Sequence, residues 1–291
     1  MADRIEHIGV VGSGLMGSGI TEVCARAGLD VTVVEADAGA AERGQERLHK
    51  SLQTGARRGK LTEEEVEAAI ARVRYATDLA ELADRELVIE AITEDAAAKV
   101  AVFKTLDQVV ASEHAILASN TSSIPIMKLA TVTRRPEQVV GLHFFNPVPV
   151  LRLVELVTSL MTSDVVLEEA TTFVTGPLAK RVIRSQDRAG FVVNSLLIPY
   201  LLSAVRMLES GFATRDDIDA GMVEGCAHPM GPLALSDLIG LDTMQAVADS
   251  LYDEFKEPLY APPPLLLRMV EAGLMGRKSG RGFYEYGRSP A

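Results

Sequence analysis

Short apolar runs rich in β-branched residues recur along the first two thirds of the chain, and helical patterns separate the earlier ones. Between two of these runs, residues 98–111 repeat apolar positions at helical spacing. Strands that alternate with helices predict a parallel, doubly wound sheet of the α/β class. The predicted strands are Ile8–Val11, Asp30–Val34, Glu86–Ala91, Ala115–Ala118, Val139–Phe145, Leu151–Thr158 and Val182–Ser185.

The strand pattern stops after Ser185, and only helical patterns follow. Gly and Pro clusters at "HPMGP" and "APPP" separate these patterns, as expected for turns between helices. We therefore predict an N-terminal Rossmann-type domain over residues 1–187 and an all-α domain over residues 188–291. The predicted helices are Phe191–Gly211, Arg215–Glu224, Leu235–Phe255 and Leu265–Ala272.

The stretch "GVVGSGLMGSGI" places three glycines in a G-x-G-x-x-G spacing between the first predicted strand and the first predicted helix. This context favours a dinucleotide site, because glycines have no side chains and let the protein backbone approach the pyrophosphate. The helix N-terminus also offers free N–H groups to this anion. Glu35 ends the second strand, where an acid binds the ribose 2′-OH and disfavours a 2′-phosphate, so NAD is expected rather than NADP. A purely structural turn and a solvated acid are the alternatives. We assign to this site Gly12, Gly14, Leu15, Met16, Gly17 and Glu35.

Polar residues follow two later strands, where ligands bind in open α/β sheets. Ser122 lies in "ASNTSSIP", although its hydroxyl could instead cap a helix. His143 lies near the end of one strand, and Glu155 lies on the apolar face of the next. Burial of an unpaired carboxylate is costly, so we expect Glu155 to orient His143 as a general base. A core histidine without chemistry is the alternative.

Two further features are candidates for the substrate site. Asn194 lies in the long apolar helix that starts the second domain, where its amide can hold a substrate oxygen or form a structural hydrogen bond. "RLHKSLQTGARRGK", Arg47–Lys60, is a basic segment in an acidic chain. It suits an anionic part of the substrate, with a solvated surface as the alternative.

Composition narrows the function classes. The 291 residues carry a formal net charge of -11, which disfavours a nucleic-acid surface. No apolar stretch is long and uninterrupted enough for a membrane span, and Met1–His7 do not resemble a secretory signal, so we expect a cytoplasmic protein. Cys24 and Cys226 are the only thiols, so no disulfide framework and no metal site are expected.

Seven segments together resemble the short-chain L-3-hydroxyacyl-CoA dehydrogenases, particularly the bacterial 3-hydroxybutyryl-CoA dehydrogenases. The segments span nearly the whole chain: "GVVGSGLMGSGI", "VIEAITED", "LASNTSSIPI", "GLHFFNPVPVLRLVELV", "DRAGFVVNSLLIPYL", "HPMGPLALSDLIGLD" and "GRKSGRGFYEY". The resemblance implies reversible, NAD-dependent oxidation of an (S)-3-hydroxyacyl-CoA in fatty acid metabolism, by a homodimer that associates through the helical domain.

The resemblance also implies individual roles. His143 is the base and Glu155 its orienting carboxylate, while Ser122 and Asn194 hold the substrate oxygens. Glu94, Lys99 and Asn146, with Ser122, line the nicotinamide half of the cofactor site. Ser51, Arg58 and Lys60 lie near the positions that contact CoA, although Arg58 replaces the usual Lys and Glu35 replaces the commoner Asp.

Three alternatives stay open from the sequence. The same chemistry can act on an acyl group carried by a protein, or on a thioester of secondary metabolism. A non-catalytic NAD-binding protein is the third, although a site that had lost its catalytic activity would have no reason to keep His143, Glu155, Ser122 and Asn194. The 3-hydroxyisobutyrate dehydrogenases also begin with a glycine turn, but they use a catalytic Lys on a long helix, and the long helix here has none.

Overall fold

A computed structural model describes residues 5–287. The chain divides between Arg188 and Ala189 into two compact units, each with its own apolar core. The first unit contains the strands β1 His7–Val11, β2 Asp30–Val34, β3 Val73–Ala76, β4 Leu87–Glu90, β5 Ile116–Ser119, β6 Val139–Phe144, β7 Leu153–Thr158 and β8 Arg181–Gln186. Its helices are α1 Leu15–Arg26, α2 Ala38–Arg57, α3 Glu63–Ala71, α4 Ala96–Val109, α5 Ile126–Ala130 and α6 Asp164–Thr175.

The eight strands form one sheet in the order β3-β2-β1-β4-β5-β6-β7-β8. The six strands from β3 to β6 are parallel, and β7 is antiparallel to β6 and parallel to β8. Parallel strands place their carboxyl ends along one edge of the sheet. The loops that follow β1, β4, β5 and β6 therefore share that edge, and the reversal at β7 brings its first residues there too.

The α/β class and all seven predicted strands are confirmed, with ends that differ by up to two residues. The sheet is parallel except between β6 and β7, where the chain returns antiparallel. Five elements of the first unit were not predicted: α2, α3, β3, α5 and α6. Asp37 caps α2 and Thr62 forms a capping box with Glu65 at α3, so both helices carry ordinary start signals in the sequence.

The second unit is all-α in the described residues, apart from short bridges near its end. The predicted helix Leu235–Phe255 is wrong, because Gly240 adopts φ +100° and separates two helices. That backbone conformation suits glycine and interrupts a right-handed helix. The helices are α7 Val193–Glu209, α8 Arg215–Cys226, α9 Pro232–Ile239, α10 Leu241–Phe255 and α11 Pro264–Glu271.

No helix among residues 5–287 is both long enough and apolar enough to span a bilayer. Within the same residues, His, Cys, Asp and Glu side chains form no group of three that could hold a metal ion. Cys24 is buried and Cys226 is exposed, and neither forms a disulfide. Burial raises the pKa of the Cys24 thiol to about 12, so this side chain behaves as a small apolar core residue.

Candidate active site

A buried histidine and a buried carboxylate face each other at the end of β6. His143 and Glu155 are directly opposite in the antiparallel register of β6 and β7, so their side chains lie on the same face of the sheet. His143 Nδ1 lies 2.6 Å from Glu155 Oε2. Glu155 is 0% exposed. A carboxylate in this position holds the proton on Nδ1 and stabilises the protonated ring, which equips Nε2 for proton transfer.

Glu94 organises the loop that carries Ser122. Its Oε1 accepts hydrogen bonds from Thr121 Oγ1 at 2.6 Å and from the Ser122 backbone N–H at 2.8 Å. The hydroxyls of Ser122 and Ser123 also donate to this oxygen, each at 3.1 Å. Burial alone would raise the pKa of Glu94, but Lys99 and these hydrogen bonds outweigh it and hold the pKa below its ordinary value. Glu94 is therefore ionised at neutral pH.

Lys99 lies in a buried ion pair. Its Nζ is 2.6 Å from Glu90 Oε1 and 3.3 Å from Glu94 Oε2, and Lys99 and Glu90 are almost fully buried. Ser119 Oγ donates to the other Glu90 oxygen at 2.6 Å, and the Ile92 N–H donates to Oε1 at 2.7 Å. The Lys99 ammonium pairs with both carboxylates, so through Glu94 it links the end of β4 to the Ser122 loop.

Sequence reasoning missed Glu90. The residue ends a strand that is buried over its whole length, and a lysine follows nine residues later on a predicted helix. An acid at the end of a buried strand requires a partner, so this pattern could have indicated the Glu90–Lys99 pair. Asn120, in the same loop as Ser122, braces the end of β6, because its Oδ1 accepts the Phe144 N–H at 2.8 Å.

The glycine-rich loop between β1 and α1 has the shape that its spacing predicts. Gly12 adopts φ +92°, and a Cβ atom on Gly17 would lie 1.9 Å from the Gly12 carbonyl oxygen. A Cβ atom on Gly14 would meet nothing within 4 Å. Gly12 and Gly17 are therefore required by the fold, whereas Gly14 leaves open space beside the loop.

Glu35 contacts this loop directly. Its Oε1 accepts hydrogen bonds from the Ser13 backbone N–H and, at 2.8 Å, from Ser13 Oγ. Arg47 Nη1, from α2, donates to the Ser13 carbonyl oxygen at 2.5 Å. Arg47 is the first residue of the basic segment that was predicted to meet an anionic part of the substrate. Its guanidinium contacts the glycine-rich loop instead, so the prediction does not fit this residue.

The remaining predicted residues lie in four places. Leu15 and Met16 begin α1, and Leu15 is 61% exposed. Asn146 is exposed two residues beyond β6. Asn194 is partly exposed on the first turn of α7, in the helical unit. The last group is exposed on α2 and in the turn that follows it, and consists of Ser51, Arg58 and Lys60.

Family models cover both units of the chain. The model described as "3-hydroxyacyl-CoA dehydrogenase, NAD binding domain" matches residues 7–188, and the one described as "3-hydroxyacyl-CoA dehydrogenase, C-terminal domain" matches residues 190–286. The chain belongs to the 3-hydroxyacyl-CoA dehydrogenase family. The resemblance inferred from the seven segments is thereby confirmed.

Similar proteins cover nearly the whole chain. A 3-hydroxybutyryl-CoA dehydrogenase of Mycobacterium tuberculosis is 57% identical over 98% of this chain and 100% of its own length. The crystal structure of M. tuberculosis FadB2, also 57% identical, covers 98% of this chain and 100% of that one with a TM-score of 0.97. (S)-3-hydroxybutyryl-CoA dehydrogenase PaaH1 from Ralstonia eutropha has a TM-score of 0.93 at 45% identity, covering 98% of this chain and 100% of that chain.

The NAD-binding domain of this family member has a cavity that fits the adenosine half of its cofactor. A space of about 550 Å³ adjoins the glycine-rich loop and ends at Glu35. Its size falls in the usual range for small-ligand pockets, and apolar walls with one acid suit a base and a ribose. The walls include Gly12, Gly14, Ala36, Leu79, Ile92 and Val102.

Two glycine substitutions distinguish a role of the loop in folding from its role in cofactor binding. We expect Gly17→Ala to destabilise the domain, because its methyl group collides with the Gly12 backbone. We expect Gly14→Ala to unfold like the wild type yet to weaken NADH binding about 10-fold or more, because its methyl group fills the space beside the loop. Thermal unfolding and NADH titration measure the two effects. Unchanged NADH affinity in folded Gly14→Ala would exclude this loop as the pyrophosphate site.

Proposed function

We propose that the protein interconverts a short-chain (S)-3-hydroxyacyl-CoA and the 3-ketoacyl-CoA, with His143 as the general base and acid. The observation that carries this proposal is the buried contact of 2.6 Å between His143 Nδ1 and Glu155 Oε2. This contact lies at the sheet edge that also carries the glycine-rich loop, because β1, β4, β5 and β6 are parallel neighbours. A proton acceptor and a dinucleotide site at one edge are the parts that a dehydrogenase requires.

His143 carries the proton in both directions. During oxidation, its Nε2 takes the proton from the 3-hydroxyl group, and Glu155 stabilises the imidazolium that forms. During reduction, the same atom returns a proton to the carbonyl oxygen. Bound NAD supplies the hydride acceptor for this chemistry. The low exposure of His143, 7%, limits the access of bulk water to the proton that is transferred.

Two other side chains hold the oxygen atoms of the substrate. Ser122 is oriented by Glu94, which accepts hydrogen bonds from both its backbone N–H and its hydroxyl. The anionic Glu94 also pairs with Lys99, so the loop that carries Ser122 has a fixed position relative to β4. The family motif assigns the same role to the amide of Asn194, which lies on the first turn of α7.

The CoA part of the substrate meets the α2–α3 connection. Arg58 and Lys60 are exposed there, and Ser51 lies one to two helical turns earlier on α2. Guanidinium and ammonium groups suit phosphate oxygens, which the nucleotide end of CoA supplies. The names of the relatives, 3-hydroxybutyryl-CoA dehydrogenases, favour a four-carbon acyl group and CoA over a carrier protein. A role in β-oxidation and a cytoplasmic location complete the proposal.

Replacing the base tests the proposal. We expect the wild type to oxidise NADH rapidly with acetoacetyl-CoA, and His143→Gln to lower kcat by about 100-fold or more with NADH affinity nearly unchanged. The exposed His114 offers a matched control, since His114→Gln changes the same atoms away from the site. Absorbance at 340 nm measures turnover. A wild type that binds NADH but reduces no acyl thioester, or an active His143→Gln, would contradict the proposal.

The helical unit supports a homodimer. Large apolar side chains are exposed on it, among them Leu196 at 73%, Phe212 at 78% and Leu238 at 50%. Such side chains are typical of a surface that packs against a second copy. We expect light scattering to give twice the 31.2 kDa mass of one chain at micromolar concentration. A mass of one chain at every concentration tested would contradict the dimer.

A further inference from the structure

A second cavity in the first unit carries an excess of positive charge. It measures about 510 Å³ and lies between the end of α1, helix α3, residues 149–152 and residues 177–180. Four cations line it, Arg26, Arg72, Arg152 and Lys180, against one carboxylate, Glu65. The chain as a whole has a formal net charge of -11, so the charge of this cluster is opposite in sign to that of the chain. Neither the dinucleotide site nor the His143–Glu155 pair uses it.

The carboxylates nearby do not neutralise the cluster. Glu65 Oε2 accepts the Thr62 N–H in the capping box of α3. Arg26 pairs with Glu22 at 3.3 Å and Arg72 with Asp30 at 3.0 Å, which accounts for two of the four cations. No ion pair of Arg152 or Lys180 with a carboxylate occurs in the described part of the chain. Two positive charges in the cavity therefore lack an anionic partner.

Lys180 extends the cavity toward the catalytic strands. Its buried Nζ donates to the carbonyl oxygens of Val148 at 2.6 Å and Leu151 at 2.7 Å. Both carbonyls belong to the connection between β6, which carries His143, and β7, which carries Glu155. Burial lowers the pKa of the Lys180 ammonium, and the charge of Arg26 lowers it further. The positive charges of Arg26 and Lys180 thus repel each other, and an anion bound in the cavity would offset this repulsion.

The rest of the cavity is apolar, with walls that include Val23, Leu61, Ala68, Pro149, Val150 and Leu178. A ligand that matches both parts combines phosphate groups with a flat or apolar body, as a nucleotide does. The volume is also in the range that holds a molecule of that size. Leu61 directly follows Lys60, so the cavity adjoins the turn that we assign to CoA.

We propose that this cavity is a binding site for a phosphorylated ligand of nucleotide size, held by Arg152, Lys180, Arg26 and Arg72. This ligand comes from one of two sources, which the kinetics below distinguishes. One is the nucleotide end of the acyl-CoA substrate, and this source rests on the proposed function. The other is a free nucleotide that binds independently of the substrate.

Calorimetry with adenosine 3′,5′-bisphosphate tests the site itself. Saturating NADH is added first, so that the glycine-rich loop cannot bind the probe. We expect saturable binding that Arg152→Gln weakens about 10-fold, and that higher salt weakens further. Arg184→Gln is the matched control, because Arg184 is exposed on β8 and does not line the cavity. Arg72→Gln supplies a second cavity variant if Arg152→Gln does not fold.

Two results would overturn the site: no saturable binding at millimolar probe, or equal weakening by Arg152→Gln and Arg184→Gln. Kinetics then identifies the source. If Arg152→Gln raises KM for acetoacetyl-CoA about 10-fold but leaves KM for acetoacetyl-N-acetylcysteamine unchanged, the ligand is the nucleotide end of the substrate. If both KM values are unchanged while probe binding weakens, the ligand is a free nucleotide. Because calorimetry needs no turnover, an inactive wild type would contradict the proposed function and leave the site to be decided by binding.

Discussion

Carboxylates buried without water need hydrogen-bond donors or cations, and two of them lie at the edge of the sheet where the chemistry is proposed. Glu155 and Glu90 are both 0% exposed. Removing the partner of such a group costs about 3–5 kcal/mol, because the charge is left uncompensated in a medium of low dielectric. His143 meets this demand for Glu155, and Lys99 meets it for Glu90. The positions of the candidate catalytic groups follow from these two pairings.

The pairings also connect separate loops. Lys99 contacts both Glu90 at the end of β4 and Glu94 beyond it, and Glu94 holds the backbone of the Ser122 loop after β5. Asn120 in turn receives the N–H of Phe144, next to His143. A chain of charge-assisted and amide hydrogen bonds therefore runs along the sheet edge from β4 to β6. Side chains held in this way keep their geometry without support from a ligand.

Local signals in the sequence predicted much of this arrangement. The glycine spacing was sufficient for the turn between β1 and α1, because Gly12 adopts a positive φ angle there and Gly17 packs directly against the Gly12 carbonyl oxygen. His143 and Glu155 were paired correctly, because an acid on the apolar face of a strand requires a partner. Their chemical roles, and the contacts of Asn194 with a substrate, stay predictions.

Other features depend on contacts that residue spacing does not reveal. Arg47 was placed with the basic segment, but its guanidinium reaches 34 residues back to the Ser13 carbonyl oxygen. Leu235–Phe255 looked like one helix, because a single Gly inside an apolar pattern does not reveal its φ angle in advance. The cavity beside Lys180 combines four segments that are far apart in the sequence, so its charge is visible only in the folded chain.

A double-mutant cycle on His143 and Glu155 tests the catalytic pair most directly. The measurement is kcat for NADH oxidation with acetoacetyl-CoA in His143→Gln, Glu155→Gln and the double variant. Groups that act as a unit give non-additive losses. We predict that the double variant is about as slow as His143→Gln alone, because Glu155 acts only through the imidazole. Losses that multiply would contradict the pairing and make Glu155 an independent contributor.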